Sequence, residues 1–202
     1  MRPTYCARAA AALPEACRHV PYIVLRLATL APGSLRENNG QWNLLQDFNV
    51  KYVGALRCSR AVIPFMKTAG WGRIINISGG NARNAGNLSG GARNAGLVHM
   101  TKTLAVQFGR HGITVNCIHP GTTRTERTPS LLAARAAQLG VSPEEAKRQD
   151  FAPDSPRGNA ICRMVEAAEV AFVAVFLASD KAWAVSGELV AASGGAGRSV
   201  YY

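Results

Sequence analysis

Acidic side chains are scarce in this sequence: 12 Asp and Glu stand against 23 Lys and Arg over 202 residues, a net charge of +11. Also missing is any continuous apolar run of the ~18 residues that a transmembrane helix requires, so no membrane span is expected. The five cysteines, Cys6, Cys17, Cys58, Cys117 and Cys162, are odd in number, widely spaced and without a C-x-x-C pair. That pattern argues against a disulfide framework and against a zinc site; the thiols read as reduced, mostly buried hydrophobes, and no metal is expected. Basic residues fall singly along the chain, with no basic run and no aromatic-interleaved stripe, so nucleic acid is not the expected partner. The surplus charge predicts attraction for smaller anions such as nucleotides or carboxylates.

Apolar residues make up 48% and charged residues 17%, which excludes disorder and predicts a folded domain with a real core. The opening "MRPTYCARAAAALPEACRHV" lacks the apolar stretch of a secretory signal. Its Arg-containing, acid-poor character fits a transit peptide as well as a helix of the fold; the Ala-rich part is read as helix, over residues 9–18, and the expected location is the cytoplasm. One domain spanning 1–202 is the default for this length.

Three short β-branched runs, "YIVLRLA" (22–28), "RIINIS" (73–78) and "ITVNCI" (113–118), read as buried strands, and "GELVAAS" (187–193) as a last one. Residues 31–41 carry turn chemistry. Apolar residues at three- and four-residue spacing from Trp42 to Phe65 predict one long amphipathic helix ending near Met66. Further helices are expected over 92–112, closed by Gly109 and Gly112, and over 165–179, with one or two short ones in a segment, 126–159, that has no specific motif. Strands alternating with helices make an α/β fold with a parallel sheet.

The stretches "FNVKYVGALRCSRAVIPFM" (48–66), "GRIINISG" (72–79), "LVHMTKTLAVQFGRHGITVNCIHPGTTRT" (97–125) and "LASDKAWAVSGELVAASGG" (177–195), in that order, resemble the short-chain dehydrogenase/reductase family. The resemblance covers residues 9–195. It implies a Rossmann-like doubly wound sheet, NAD or NADP as cofactor, and hydride exchange with a carbonyl or alcohol carbon. It also implies that the sequence starts just before the family's fourth strand, so that the first three strands and the glycine-rich cofactor turn are lacking and the strand at 22–28 is an apolar edge.

The family's chemistry uses a Tyr, a Lys, a Ser and an Asn. By resemblance, Lys51 stands at the Asn position, Gly79 at the Ser position, Gly90 at the Tyr position and Asn94 at the Lys position. All four depart from the pattern. Lys51 and Asn94 exchange residue types, which raises a rebuilt site in which Lys51 serves as acid or base beside Ser78 or Ser89, against a decayed site with a solvated lysine. The doubled "A-R-N-A-G" and "S-G-G" of residues 76–96 offer Arg83 and Arg93 as anion-binding candidates beside backbone nests, or simply a loop and a helix start. Ala28, Pro120, Gly121 and Thr125 fall on the family's cofactor-flanking positions. His119 is a possible donor in the cleft but reads as structural, as do His99 and His111 on a helix face. The segment 126–159 is the expected substrate loop. Two functions stand: an oxidoreductase with an atypical site, or a non-catalytic binding protein or oligomer subunit that pairs with its own copies through the helices at 48–66 and 92–108.

Overall fold

A computed structural model of the chain describes residues 22–25, 40–83 and 88–197. The helix expected over 9–18, Ala28 and most of the turn at 31–41 lie outside these residues. The elements in order are β1 (Tyr22–Leu25), α1 (Gly40–Phe48), a π segment (Asn49–Val53), α2 (Gly54–Ala69), β2 (Gly72–Ile77), α3 (Leu88–Phe108), β3 (Ile113–Pro120), α4 (Thr128–Leu139), α5 (Pro143–Asp150), α6 (Ala167–Ala178) and β4 (Leu189–Ala192). The strands lie in the order β1-β2-β3-β4. β1 runs parallel to β2 with Tyr22 opposite Arg73, and β2 parallel to β3 with Gly72 opposite Ile113.

Two expectations need correction. The helix drawn from Trp42 to Met66 is broken into α1 and α2 by the π segment, where Gly54 N–H donates to the Asn49 carbonyl five residues back. A π turn is wider than the α-helix on either side, and such turns often mark functional sites. The helix expected from Ala92 begins instead at Leu88, so the second "S-G-G", Ser89 to Gly91, is helical rather than a turn. The physical reason is tertiary: Ser89 is buried and its hydroxyl donates to Asp47 Oδ2 at 2.5 Å, which fixes a helix start that two glycines would disfavour on propensity alone.

The described residues form two compact units. In the first (residues 22–119 and 174–190), α2 presents Cys58, Val62, Ile63 and Met66, and α3 presents Leu97, Met100 and Leu104, to Ile74 and Val115 of the strands. These positions recur every three or four residues, which gives each helix one apolar stripe for the sheet. Gly70 and Gly112, both left-handed, terminate α2 and the turn before β3, and Gly72 N–H donates to the Gly112 carbonyl at 3.0 Å. Arg73 is fully buried, its guanidinium 4.1 Å from the Trp71 ring and 4.8 Å from that of Trp183.

The second unit (residues 120–173 and 191–197) packs α4 against α5. Gly140 closes α4 in the left-handed region, and Ser142 caps α5 by accepting from Glu145 N–H at 3.2 Å. Buried Asn159 ties its own loop to the segment after β4, donating to the carbonyls of Arg163 at 2.8 Å and Ser193 at 3.3 Å. Among the described residues no helix is long and apolar enough to cross a membrane, and no cluster of three metal-ligating side chains occurs.

Candidate functional site

The first unit gathers a polar cluster where β2 ends. Lys51, half-buried in the π segment, donates from Nζ to the Ser78 carbonyl at 3.3 Å. The Ser78 hydroxyl in turn donates to the Asn94 carbonyl at 3.4 Å. Lys51, Ser78 and Asn94 are thus linked in one chain of contacts through the main-chain carbonyls of Ser78 and Asn94. Ser78 is only 5% exposed and Asn94 4%. Cys117 of β3 belongs to the same cluster. Burial raises its thiol to about 11, while hydrogen bonding with Ser78 and the charge of Lys51 pull the other way, so the thiol stays protonated at neutral pH and is a poor nucleophile.

Gly79 explains how the cluster closes. Its backbone is extended, and a Cβ built there would sit 2.9 Å from Asn94 Nδ2. The Asn94 amide therefore lies in the space that a serine side chain at residue 79 would need. Its Oδ1, buried, makes no hydrogen bond. We expect Gly79→Ser to cost about 1–3 kcal/mol by overpacking, and the added change Asn94→Ala to restore at least about 1 kcal/mol of that loss through relief of the shared contact. Urea unfolding of the two single variants and the double variant measures the coupling; simple additivity would refute it.

Gly90 is buried in the first turn of α3. Around it lies a closed ion-pair cluster: Asp47 Oδ2 accepts from Ser89 Oγ and from Arg93 Nη1, and Arg93 Nη1 also donates to Ser89 Oγ at 3.1 Å. Asp47 and Arg93 side chains are 9% and 15% exposed. Arg93 is thereby engaged by a carboxylate of its own chain. Arg83 directly follows the short 3₁₀ turn Gly80–Ala82. Burial, and secondarily the Arg83 charge, lowers the pKa of His119 at the end of β3; it is neutral at pH 7, and its Nδ1 is buried without a hydrogen bond.

Asn49 escaped the sequence reading. It opens the π segment and precedes Gly54 by five residues, two more than the N-x-x-G spacing allows. The wide turn is the kind of element that takes up extra residues in a helix, so Asn49 is a second candidate for the position given to Lys51. The signal lay in the asparagine itself, six residues before the "ALRCS" run.

The cofactor-flanking positions are held by local packing and turn contacts where they are described. Ala28 lies outside the described residues. In the second unit, Gly121 is small for a packing reason, since a Cβ there would meet the Ser193 backbone at 2.8 Å. Thr125 is tied up locally: its N–H donates to Thr128 Oγ1 at 2.8 Å and its hydroxyl accepts from Arg127 N–H at 3.3 Å. Pro120 contributes no donor.

Comparison with known proteins agrees with the sheet and its crossovers. A family model described as enoyl-(acyl carrier protein) reductase matches residues 2–197. The chain is 34% identical over 156 residues to the short-chain reductase protein NovJ of Streptomyces niveus, covering 77% of this chain and 55% of that protein. It is 35% identical over 179 residues to the 3-oxoacyl-(acyl-carrier-protein) reductase FabG of Pseudomonas aeruginosa, covering 87% and 65%. The chain thus spans between half and two thirds of the length of these relatives. Among solved structures, YwfH, described as an NADPH dependent reductase involved in bacilysin biosynthesis, superposes with a TM-score of 0.84 at 26% identity over 96% of this chain and 74% of that one.

Proposed function

The chain belongs to the short-chain dehydrogenase/reductase family, and from that premise we propose that it is a non-catalytic member, a binding protein or oligomer subunit built on the scaffold of NAD(P)-dependent carbonyl and alcohol oxidoreductases. The observation that carries this reading is the Asn94 amide packed into the space above Gly79. It is supported by Gly90, which has no side-chain proton to exchange where the family pattern has a phenol. Ser78 and Asn94 are interior groups, and Lys51 is engaged with a main-chain carbonyl. General acid–base catalysis contributes about 10²–10⁴-fold to such reactions, and that factor is what these replacements remove.

The subunit role has its own support in the first unit. Phe65 of α2 is 39% exposed, and Leu88 and Val106 of α3 are 58% and 76% exposed, leaving apolar side chains on the two helices expected to meet a second copy. In this reading the segment 126–159 is the substrate loop of the scaffold.

The test is hydride transfer from NADH and NADPH to a panel of small ketones and 3-oxoacyl thioesters, followed by nicotinamide absorbance. The expected result is no carbonyl-dependent oxidation above the rate without protein, with Lys51→Ala indistinguishable from the parent. Saturable turnover that falls at least about tenfold in Lys51→Ala would overturn the reading in favour of a rebuilt oxidoreductase site with Lys51 as the proton donor.

A further inference from the structure

The second unit holds a cavity of about 500 Å³ between α4, α5 and the loop that follows them. Its floor is apolar and buried, formed by Phe151 and Met164, and Leu132 lines the wall with Leu131 exposed at the rim. One charged group of residues interrupts this lining. Asp150 Oδ1 accepts from Arg135 Nε at 3.2 Å and from Arg135 Nη2 at 3.1 Å, and the same oxygen is ion-paired with Arg157, whose Nε lies 3.2 Å away. Two guanidiniums thus share one carboxylate, leaving one positive charge uncompensated within the cluster.

Exposure distinguishes the two arginines. Asp150 and Arg135 side chains are 13% and 27% exposed, whereas Arg157 is 60% exposed. Arg135 is held on its helix by two bonds to the carboxylate, and Arg157 is the member that solvent reaches. An exposed pair of this kind adds little to stability. A planar guanidinium is well shaped to take a second carboxylate, and the volume and mixed lining match those of small-molecule pockets, which run from about 300 to 1,000 Å³ and are mostly apolar with a few placed polar groups.

We propose that this cavity binds a small amphipathic monoanion, an apolar chain lying on Phe151, Leu132 and Met164 and ending in a carboxylate that meets Arg157 and Arg135. Charge complementarity selects the anion, and the apolar floor selects against ions without a hydrocarbon body. The site uses none of the residues in the Lys51 and Asn94 cluster, so it stands whether or not the protein proves to be a catalyst.

The test is calorimetric titration of the protein with octanoate, octanol, octylammonium and acetate. Saturable binding of octanoate is expected, with octanol and acetate each weaker by about tenfold or more, since each lacks one half of the recognition, and with octylammonium showing none. Arg157→Gln is expected to weaken octanoate about tenfold without moving the thermal midpoint, because Arg157 is mostly solvated. Added salt should weaken octanoate more than octanol. Equal affinity for octanoate and octanol, absence of saturable octanoate binding, or an Arg157→Gln variant with parental affinity would each overturn the proposal. Those outcomes are read without nicotinamide turnover, so they separate this site from the question of catalysis.

Discussion

Gly112→Ala is expected to destabilise the protein by more than about 4 kcal/mol, enough to remove much of the 5–15 kcal/mol that ordinary domains possess, while Gly70→Ala costs only about 1–2 kcal/mol. Both glycines have left-handed backbones, φ +76° and +64°, so both substitutions carry the same conformational penalty. They differ in what surrounds them. A Cβ at residue 112 would fall 1.9 Å from the Gly70 carbonyl oxygen, and one at residue 70 would meet nothing within 4 Å. Because the obstruction at residue 112 is main chain, relief means moving the turn that also delivers the Gly112 carbonyl to Gly72 N–H. Urea unfolding of the two variants measures the difference. Equal losses would show that the close approach of the two turns is not a constraint in solution.

Arg73→Ala is expected to cost about 3–5 kcal/mol, read as a fall of roughly 10 °C in the unfolding midpoint with loss of the near-ultraviolet tryptophan signal. The ion pair with Asp180 is not the reason, because Asp180 is 85% exposed and the contact is 3.4 Å; such pairs contribute about 0–1 kcal/mol. What would be lost is packing between two indole rings and the donors to the carbonyls of Gly72 at 2.9 Å and Ser179 at 3.4 Å. Burial lowers the pKa of the guanidinium, with Asp180 opposing, and truncation leaves both a cavity and buried carbonyls. Arg73→Lys should recover little, since an ammonium can neither stack between the rings nor reach several acceptors in one plane. A loss below about 1 kcal/mol for the alanine variant would mean that the indoles close over the gap.

The strands were legible because their residues are β-branched and short: Ile74, Ile75, Val115 and Ile118 declare β2 and β3 without help from tertiary context. The helices were legible in existence but not in detail. Nothing in "FNVKYVG" announces a π turn, since its apolar spacing satisfies an α-helix equally well, and the distinction lies in which carbonyl Gly54 reaches. Leu88 to Gly91 read as a turn because glycine propensity was the only local information; the partner that overrides it, Asp47, is dozens of residues away. The family order of motifs set Lys51, Ser78 and Asn94 side by side as candidates, whereas the burial of Ser78 and Asn94 is a matter of tertiary packing that no local pattern carries. Sequence alone also gave no hint that Arg135 and Arg157 converge on Asp150, as their spacing matches no motif.

The register of the sheet bears on how the protein reaches its fold. β1 and β2, and then β2 and β3, are parallel, so each ladder joins strands separated by a complete helical crossover, and no pair can form as a local hairpin. Loop closure must precede the reward of pairing, which places such a topology among slow folders of high contact order. During synthesis Ile74 and Ile75 emerge well before Val115, and until β3 arrives one whole edge of β2 stands open. The chain therefore passes through a stage in which an apolar strand edge is available to any other nascent chain, a vulnerability that belongs to its biosynthesis and leaves no trace in the finished core.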